Sequence, residues 1–455
     1  MRSLMPLFMV TVISTACVSN TSQTKTSAEQ GSSYVPSEAD LALIAAKIES
    51  DAKNPEYESI IRSIVRKENL DDAIRLAIQK DNLAAFLKLM NHAGLSEERV
   101  AKARVDAVNS YQLSLPFYMH LVSTGVNLAE NSQAVLLTSK ENLLFLLRYG
   151  AQAATTDKWG SSRLHRENDP EIIEVLVKNG ANPNTKNKYG EAALHTYDRS
   201  IDAFKKLLEL GADANSIVEN GKRTPLFYIN GSIPHLDALI EAGADPNAKD
   251  YDGSTILRWR VRLMDSKAAL DFVQALLNHG ADANIADNDG FTPLFAVDAS
   301  LDNDFIEQAL DLLLKQGADI NHQSRDGWTV LATLAGHSFT EPKFRKMKWL
   351  LSNGARTDLF SNTGESPLSR AARSNQDMWM STLLKHGVDI NQRNAEGNTA
   401  MFYTFFLESA KYLIDHGADP TIRNLKGEAA FEFNNVSKDS ACREYLHVEY
   451  LKRVK

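Results

Sequence analysis

The sequence predicts an all-α solenoid of stacked helix-turn-helix units with short β-hairpin tips. Three observations carry that expectation. Gly150, Gly180, Gly211, Gly243, Gly280, Gly317, Gly354, Gly387 and Gly417 recur at a spacing of 30 to 37 residues. A second series, Gly160, Gly190, Gly221, Gly253, Gly290, Gly327, Gly364, Gly397 and Gly427, follows about ten residues behind the first, and two phase-locked series of this period are the signature of a repeat array. Leucine pairs precede the first series in the later repeats: Leu276-Leu277, Leu313-Leu314, Leu350-Leu351 and Leu383-Leu384. A chain of 455 residues exceeds a single compact core, but stacked repeats escape that limit because each packs only on its neighbours.

Taken in order, residues 1–16 have the pattern of a signal peptide. Arg2 is a short positive start, Leu4 to Ile13 is an apolar run too short to span a bilayer, and Ser14-Thr15-Ala16 supplies small residues before Cys17. The segment resembles the bacterial lipoprotein type. That resemblance implies a lipid on Cys17, a place in the periplasm or at the outer membrane and, with Val18 following, the outer membrane over the inner one. Ser14 stands where that family usually has Leu, and Ser14 with Ala16 also suits ordinary cleavage, so lipidation and secretion both stay open. Residues 17–36 are rich in Ser, Thr, Gln and Gly and read as a flexible tether. From Pro36-Ser37-Glu38 onward, apolar residues at helical spacing (Leu41, Ile44, Ala45, Ile48, then Ile60, Ile61, Ile64) open a helical region over 37–132, with degenerate copies of the repeat at Leu83 to Leu87 and Gly125-Val126-Asn127. The regular repeats run over 133–432, and a charged capping helix over 433–455.

Each repeat has recognisable words. Gly243-Ala244-Asp245-Pro246-Asn247-Ala248, Gly280-Ala281-Asp282-Ala283-Asn284 and Gly317-Ala318-Asp319-Ile320-Asn321 end helices; Asp287-Asn288-Asp289-Gly290-Phe291-Thr292-Pro293-Leu294 makes a turn and restarts one; Leu164-His165 and Leu194-His195 close that phrase. Together they resemble the ankyrin-repeat family, strongly over 133–432 and weakly over 70–130. The physics fits: Thr292 is an expected cap with Pro293 preset for the first turn, Gly280 suits a left-handed helix end, Gly290 forms a turn tip, and Leu294, Leu312 and Leu313 are expected in the inter-repeat core. First helices after Gly160, Gly190 and Gly221 are abbreviated, whereas stretches 258–268, 297–304 and 333–342 carry extra residues.

The resemblance implies binding of another protein through the hairpin tips and the concave helix face. Mapped residue by residue, the candidate partner-binding side chains are Trp159, Tyr189 and Tyr251 at or beside tips, Phe291 and Trp328 just after tip glycines, and Arg258, Trp259 and Arg260 in an elongated first helix. An aromatic after the glycine could instead pack on the next hairpin, and the basic run could instead pair with acids on neighbouring repeats. His165 and His195 are expected to bond local backbone.

No enzyme signature stands out. His-Glu-x-x-His, paired Cys-x-x-Cys, phosphate-cradling glycine loops and the Gly-x-Ser-x-Gly elbow are all missing from the sequence. Asp250-Tyr251-Asp252-Gly253 and Asp287-Asn288-Asp289-Gly290 lack the first and last ligands of an EF-hand, so they read as turns. Neither catalysis, a cofactor nor a metal is therefore expected. A formal net charge of −8 argues against a nucleic-acid partner. The membrane is expected to matter only through the lipid anchor, and a monomer is expected. Cys442, the second of two cysteines, reads as a buried thiol. Within the protein-binding class the sequence leaves three roles open: an envelope scaffold, an immunity protein that neutralises a toxin enzyme, and a secreted effector that binds a host protein.

Overall fold

The computed structural model describes residues 34–65, 70–91, 95–110, 112–196, 199–298, 304–433 and 440–454. Cys17 and the expected signal segment lie outside the described residues. Among the described residues no helix is long and apolar enough to cross a membrane. The chain divides into two compact units at Ser216–Ile217.

In the first unit, helices α1 (Glu38–Lys53), α2 (Pro55–Val65), α3 (Leu70–Gln79), α4 (Leu83–Met90), α5 (Glu97–Val108) and α6 (Leu115–Ser123) precede α7 (Lys140–Arg148), α8 (Pro170–Lys178) and α9 (Ile201–Glu209). Ser37 caps α1 in a reciprocal box with Asp40, as the Pro36-Ser37-Glu38 sequence leads one to expect. Helix α1 packs on α4 and α6, α6 on α7, and α8 on α9, so the elements pile up largely in chain order. Tyr34 falls inside the stretch expected to be a tether, yet it is buried, edge-on to Phe145 and Tyr149 at 5.2 and 4.6 Å. One aromatic in a polar stretch is enough to tie that end of the chain to α7. Between α7, α8 and α9 the first helices shrink to single 3₁₀ turns, Arg163–His165 and Ala193–His195.

The second unit holds α10 (Ile233–Glu241), α11 (Ile256–Arg262), α12 (Lys267–Asn278), α13 (Asp304–Lys315), α14 (Val330–Ala335), α15 (Glu341–Ser352), α16 (Pro367–Arg373), α17 (Asp377–Lys385), α18 (Leu407–Asp415) and α19 (Ser440–Val454). The leucine pairs form its seam. Leu276, Leu313, Leu350 and Leu383 are fully buried, while the second member of each pair lies nearer the rim. Leu312, expected in the core, is only half-buried because it points one helical step away from Leu313. Each fully buried leucine contributes about 1.5–3 kcal/mol, and only with the neighbouring repeat in place. Cys442 is buried on α19.

Several caps follow the sequence. Thr255, Thr329 and Ser366 accept hydrogen bonds from the amides of Arg258, Ala332 and Ser369. Thr292 does not: its hydroxyl is buried without a partner, and the Phe295 amide bonds the Thr292 carbonyl instead. The element it opens, Pro293–Asp298, is a 3₁₀ turn, whose tighter i→i+3 pattern uses that carbonyl.

Both glycine series sit at positive φ, for example Gly280 at 86° and Gly290 at 83°. Four tips are closed by single bridges: Thr156 with Ser162, Val218 with Arg223, Lys249 with Thr255 and Arg423 with Ala429. An Asx or Ser side chain three residues before the glycine organises every tip except that of Gly221, where Val218 stands. Asp157, for instance, accepts from the Trp159 and Ser161 amides at 2.8 and 2.9 Å. Successive tips are then joined backbone to backbone: Lys188 N–H to Trp159 C=O at 2.8 Å in the first unit, and Tyr251 to Gly221, Asn288 to Asp252, Arg325 to Asp289 and Asn362 to Asp326 at 2.7–2.9 Å in the second. A second ladder runs past the helix ends. The Asn284 amide donates to Gly317 C=O at 2.9 Å and accepts from the Asp319 N–H at 2.7 Å, and Asn184, Asn247, Asn321 and Asn391 do the same one repeat at a time.

Candidate functional site

The eight candidate side chains separate by their distance from the tip glycine. Trp159 and Tyr189 stand immediately before Gly160 and Gly190, and Tyr251 stands two before Gly253. Their fractional exposures are 47%, 57% and 71%. Trp159 and Tyr189 are brought together, ring centroids 6.2 Å apart and 24° between planes, an offset stack. The Lys158 ammonium lies 5.3 Å from the centre of the Trp159 ring.

The other five are engaged within the stack. Of the two expectations for Arg258, partner binding or pairing with acids on a neighbouring repeat, the structure has the pairing: Arg258 meets Asp287 at 2.8 Å and donates from Nε to the Phe291 carbonyl at 3.1 Å. Its register explains this. Arg258 stands five residues after Gly253, as His165 stands five after Gly160 and His195 five after Gly190. His165 Nε2 lies 3.1 Å from the Glu191 carbonyl, one residue past the next tip glycine, which is the position Phe291 holds for Arg258. His195 Nε2 likewise lies 3.0 Å from the Ser216 carbonyl, while the Nδ1 atoms of both histidines take amides of their own turns. Burial holds both imidazoles below the usual histidine range.

Trp259 donates from Nε1 to Asp250 at 2.9 Å and lies under the Arg223 guanidinium, 4.5 Å away. Position six after the glycine repeats this contact to the tip's own Asx residue: Arg166 reaches Asp157 at 2.6 Å, and the Asn394 amide donates to Tyr403 Oη at 2.9 Å. Arg260 stacks over Phe272 at 5.0 Å, and burial lowers its basicity. Phe291 is half-buried against Phe295 at 5.0 Å. Trp328, also half-buried, lies under Arg370 at 4.6 Å.

The sequence reading passed over some polar groups with structural weight. Glu365 is almost wholly buried, held by Arg373 and, at 3.7 Å, by Arg370. Buried Arg199 donates to the carbonyls of Leu164 and Glu167, and Arg163 to those of Val135 and Thr138, stitching the short repeats of the first unit. The abbreviated first helices signal this need, since a single 3₁₀ turn leaves carbonyls without helical partners.

A family model for ankyrin repeats matches three times, over residues 161–250, 296–394 and 341–424. The chain carries ankyrin repeats. Similar proteins include an ankyrin repeat protein of Acanthamoeba polyphaga mimivirus, 32% identical over 28% of this chain and 18% of that one. Mouse B-cell lymphoma 3 protein homolog is 25% identical over 42% of this chain and 40% of its own length. Human ankyrin repeat and SOCS box protein 6 is 26% identical over 44% and 48%. The chain thus spans less than half the length of each of these curated relatives. Among solved structures, the ankyrin repeat domain of human ASB11 aligns over 50% of this chain and 98% of that domain, at 22% identity and a TM-score of 0.37. Ankyrin repeats make this chain a protein-interaction scaffold. In it, the histidine position of the repeat is filled by His165, His195 and, in the fourth tip, Arg258.

Proposed function

We propose that this scaffold is non-catalytic and grips its partner by the hairpin tips. The supporting observation is the exposure of Trp159, Tyr189 and Tyr251 on turns whose backbones are hydrogen-bonded to a neighbouring tip, so large rings are presented without a mobile loop to order. In the second unit, Trp259 holds the Tyr251 tip through Asp250, and Arg258 holds the tip after it through Asp287 and the Phe291 carbonyl. The same proposal puts the chain at the bacterial cell envelope, exported through residues 1–16 and held by a lipid on Cys17. Support for that part is the residue pattern Leu4 to Cys17 alone.

Affinity capture from envelope extracts tests the first part. Truncating a hot-spot aromatic costs about 2 kcal/mol or more, roughly thirtyfold in affinity, so Trp159→Ala and Tyr251→Ala should each lose most of the captured partner at unchanged thermal stability. Full recovery by both variants would remove the tips from the interface. Metabolic labelling with a fatty-acid analogue tests the second part, with wild type labelled and Cys17→Ala not; an unlabelled wild type would leave secretion in its place.

A further inference from the structure

Four Asn-Gly steps stand in the chain: Asn179-Gly180, Asn220-Gly221, Asn230-Gly231 and Asn353-Gly354. Asparagine before glycine is the pair most open to cyclisation, because the glycine nitrogen has no neighbouring Cβ to hinder its approach to the side-chain carbonyl carbon. The sequence makes the four alike; the fold separates them.

At the two helix ends both reacting groups are held. The Asn179 and Asn353 side-chain amides donate to Val175 C=O and Trp349 C=O at 2.8 and 2.9 Å. Their glycine N–H groups donate to Val177 C=O and Leu351 C=O at 3.0 and 3.3 Å. At the Gly221 tip the glycine N–H bonds Glu219 C=O at 2.9 Å, and the glycine carbonyl is pinned by the Tyr251 N–H of the next tip at 2.7 Å. Asn230 and Gly231 instead form the centre of the turn between the 3₁₀ turn Pro225–Phe227 and α10. Their φ values of 46° and 80° are the positive pair that a type I′ turn requires, and the Ser232 N–H to Ile229 C=O bond at 3.0 Å closes it. Asn230 is exposed. Among the described residues, neither its carboxamide nor the Gly231 N–H has a hydrogen-bond partner. Attack therefore breaks no bond at either reacting group.

Arg260 supplies a second element. Its guanidinium covers the turn: a Cβ built on Gly231 would stand 3.7 Å from Nη1 and 3.9 Å from Cζ. Stacking on Phe272 at 5.0 Å holds it in place, and its Nε is buried without a hydrogen-bond partner. A fixed cation there favours the negative charge that develops on the side-chain oxygen during ring closure.

We propose that Asn230 is a site of spontaneous deamidation and isoaspartate formation, with water as the co-reactant. The Gly231 nitrogen bonds to Asn230 Cγ, the Cγ–Nδ2 bond breaks, and the departing NH2 takes the Gly231 proton away as ammonia. Water then opens the cyclic imide. Cleavage at Cγ gives aspartate; cleavage at the backbone carbonyl carbon gives isoaspartate, which adds one carbon to the backbone of the turn that feeds α10. Either product places a new carboxylate next to Arg260.

The test keeps the purified full chain for weeks in neutral buffer and measures Asp and isoAsp at each of the four positions by peptide mass spectrometry. Amide loss at Asn230 should run about tenfold faster than at Asn179, Asn220 or Asn353, the factor that one unmade hydrogen bond of about 1.4 kcal/mol supplies. In urea the four rates should converge. Arg260→Gln should slow Asn230 about threefold, the scale of one partly exposed charge interaction, and spare the other three. Arg260→Lys keeps the charge and should restore part of the rate, with circular dichroism confirming that both variants are folded. Equal rates at Asn230 and Asn220 in the folded chain, faster loss at either helix end, or an Arg260→Gln rate equal to wild type overturns the proposal.

Discussion

Replacing a tip glycine with alanine should damage the stack far more than replacing a helix-ending glycine, although the two have nearly the same backbone angle. Gly280 has φ 86° and Gly290 has φ 83°. An L-residue with a side chain loses about 1–2 kcal/mol in that left-handed region, so this part is common to both. Nothing lies within 4 Å of a Cβ built on Gly280. A Cβ on Gly290 would lie 2.5 Å from the Arg325 nitrogen and 2.9 Å from the Ser324 carbonyl carbon, both backbone atoms of the next tip. Those atoms cannot rotate away. Either the next hairpin moves, which breaks the 2.9 Å Arg325 to Asp289 hydrogen bond at about 1 kcal/mol net, or the overlap is absorbed as packing strain of about 1–3 kcal/mol. Gly280→Ala should therefore cost about 1–2 kcal/mol and Gly290→Ala about 2–5 kcal/mol. Repeat arrays do not always unfold in one step, so urea midpoints should be paired with native-state hydrogen exchange. In Gly290→Ala the Arg325 amide should exchange much faster while the Ala318 amide, bonded to Leu313 at 3.0 Å, keeps most of its protection. Equal losses in the two variants, or an undisturbed Arg325 amide, would refute the claim that tip-to-tip contact demands glycine.

Asn284→Ala removes both rungs of an exposed inter-repeat ladder, to Gly317 and from Asp319, and should lower stability by about 1–2 kcal/mol by chemical denaturation. Arg258→Ala leaves the Asp287 carboxylate and the Phe291 carbonyl without their partner and should cost about 3 kcal/mol, whereas Arg258→His restores the side chain of His165 and should recover part of that loss in the same measurement. His120 on α6 is buried with Nδ1 unpartnered; burial, helped by Arg104, pushes its pKa down to about 4. The folded chain then stays neutral there while the unfolded chain takes up a proton below about 6.5, so stability should be intact at neutral pH and fall as pH drops from 6.5 to 4, by about 3 kcal/mol in all. Denaturation across that window should show the loss in wild type and a shallower slope in His120→Leu.

The two glycine series were legible because their causes are local: a left-handed helix end and a left-handed turn tip both favour the residue that has no Cβ. The seam was legible from the leucine pairs for a similar reason, since the first member of each faces the next repeat whatever that repeat contains. Leu312 and Thr292 show where local reasoning runs out. Leu312 lies beside the seam leucine on the same helix, and one residue of helical rotation takes it halfway to solvent. Thr292 has the right residue type for a cap, but the element it precedes closes as a 3₁₀ turn and leaves the hydroxyl idle.

The candidate site was harder to see because residue type and register point in different directions. Arg258-Trp259-Arg260 has the composition of a binding hot spot, yet counting from Gly253 puts Arg258 where the repeat keeps its histidine and Trp259 where the tip's own carboxylate finds its donor. The same count sorts the aromatics. A residue just after the glycine has its amide on the tip side chain, as Phe291 has on Asp287 at 2.8 Å, and its ring among the first-helix residues, here Phe295 and Arg258. A residue just before it sits at the crest of the turn, where Trp159 and Tyr189 stack on each other and stay about half exposed. Exposure on these repeats is thus decided by one step along the chain across a glycine. Within the array the informative question about an aromatic is which side of that glycine it occupies, because one side builds the stack and the other leaves a ring free to meet a partner.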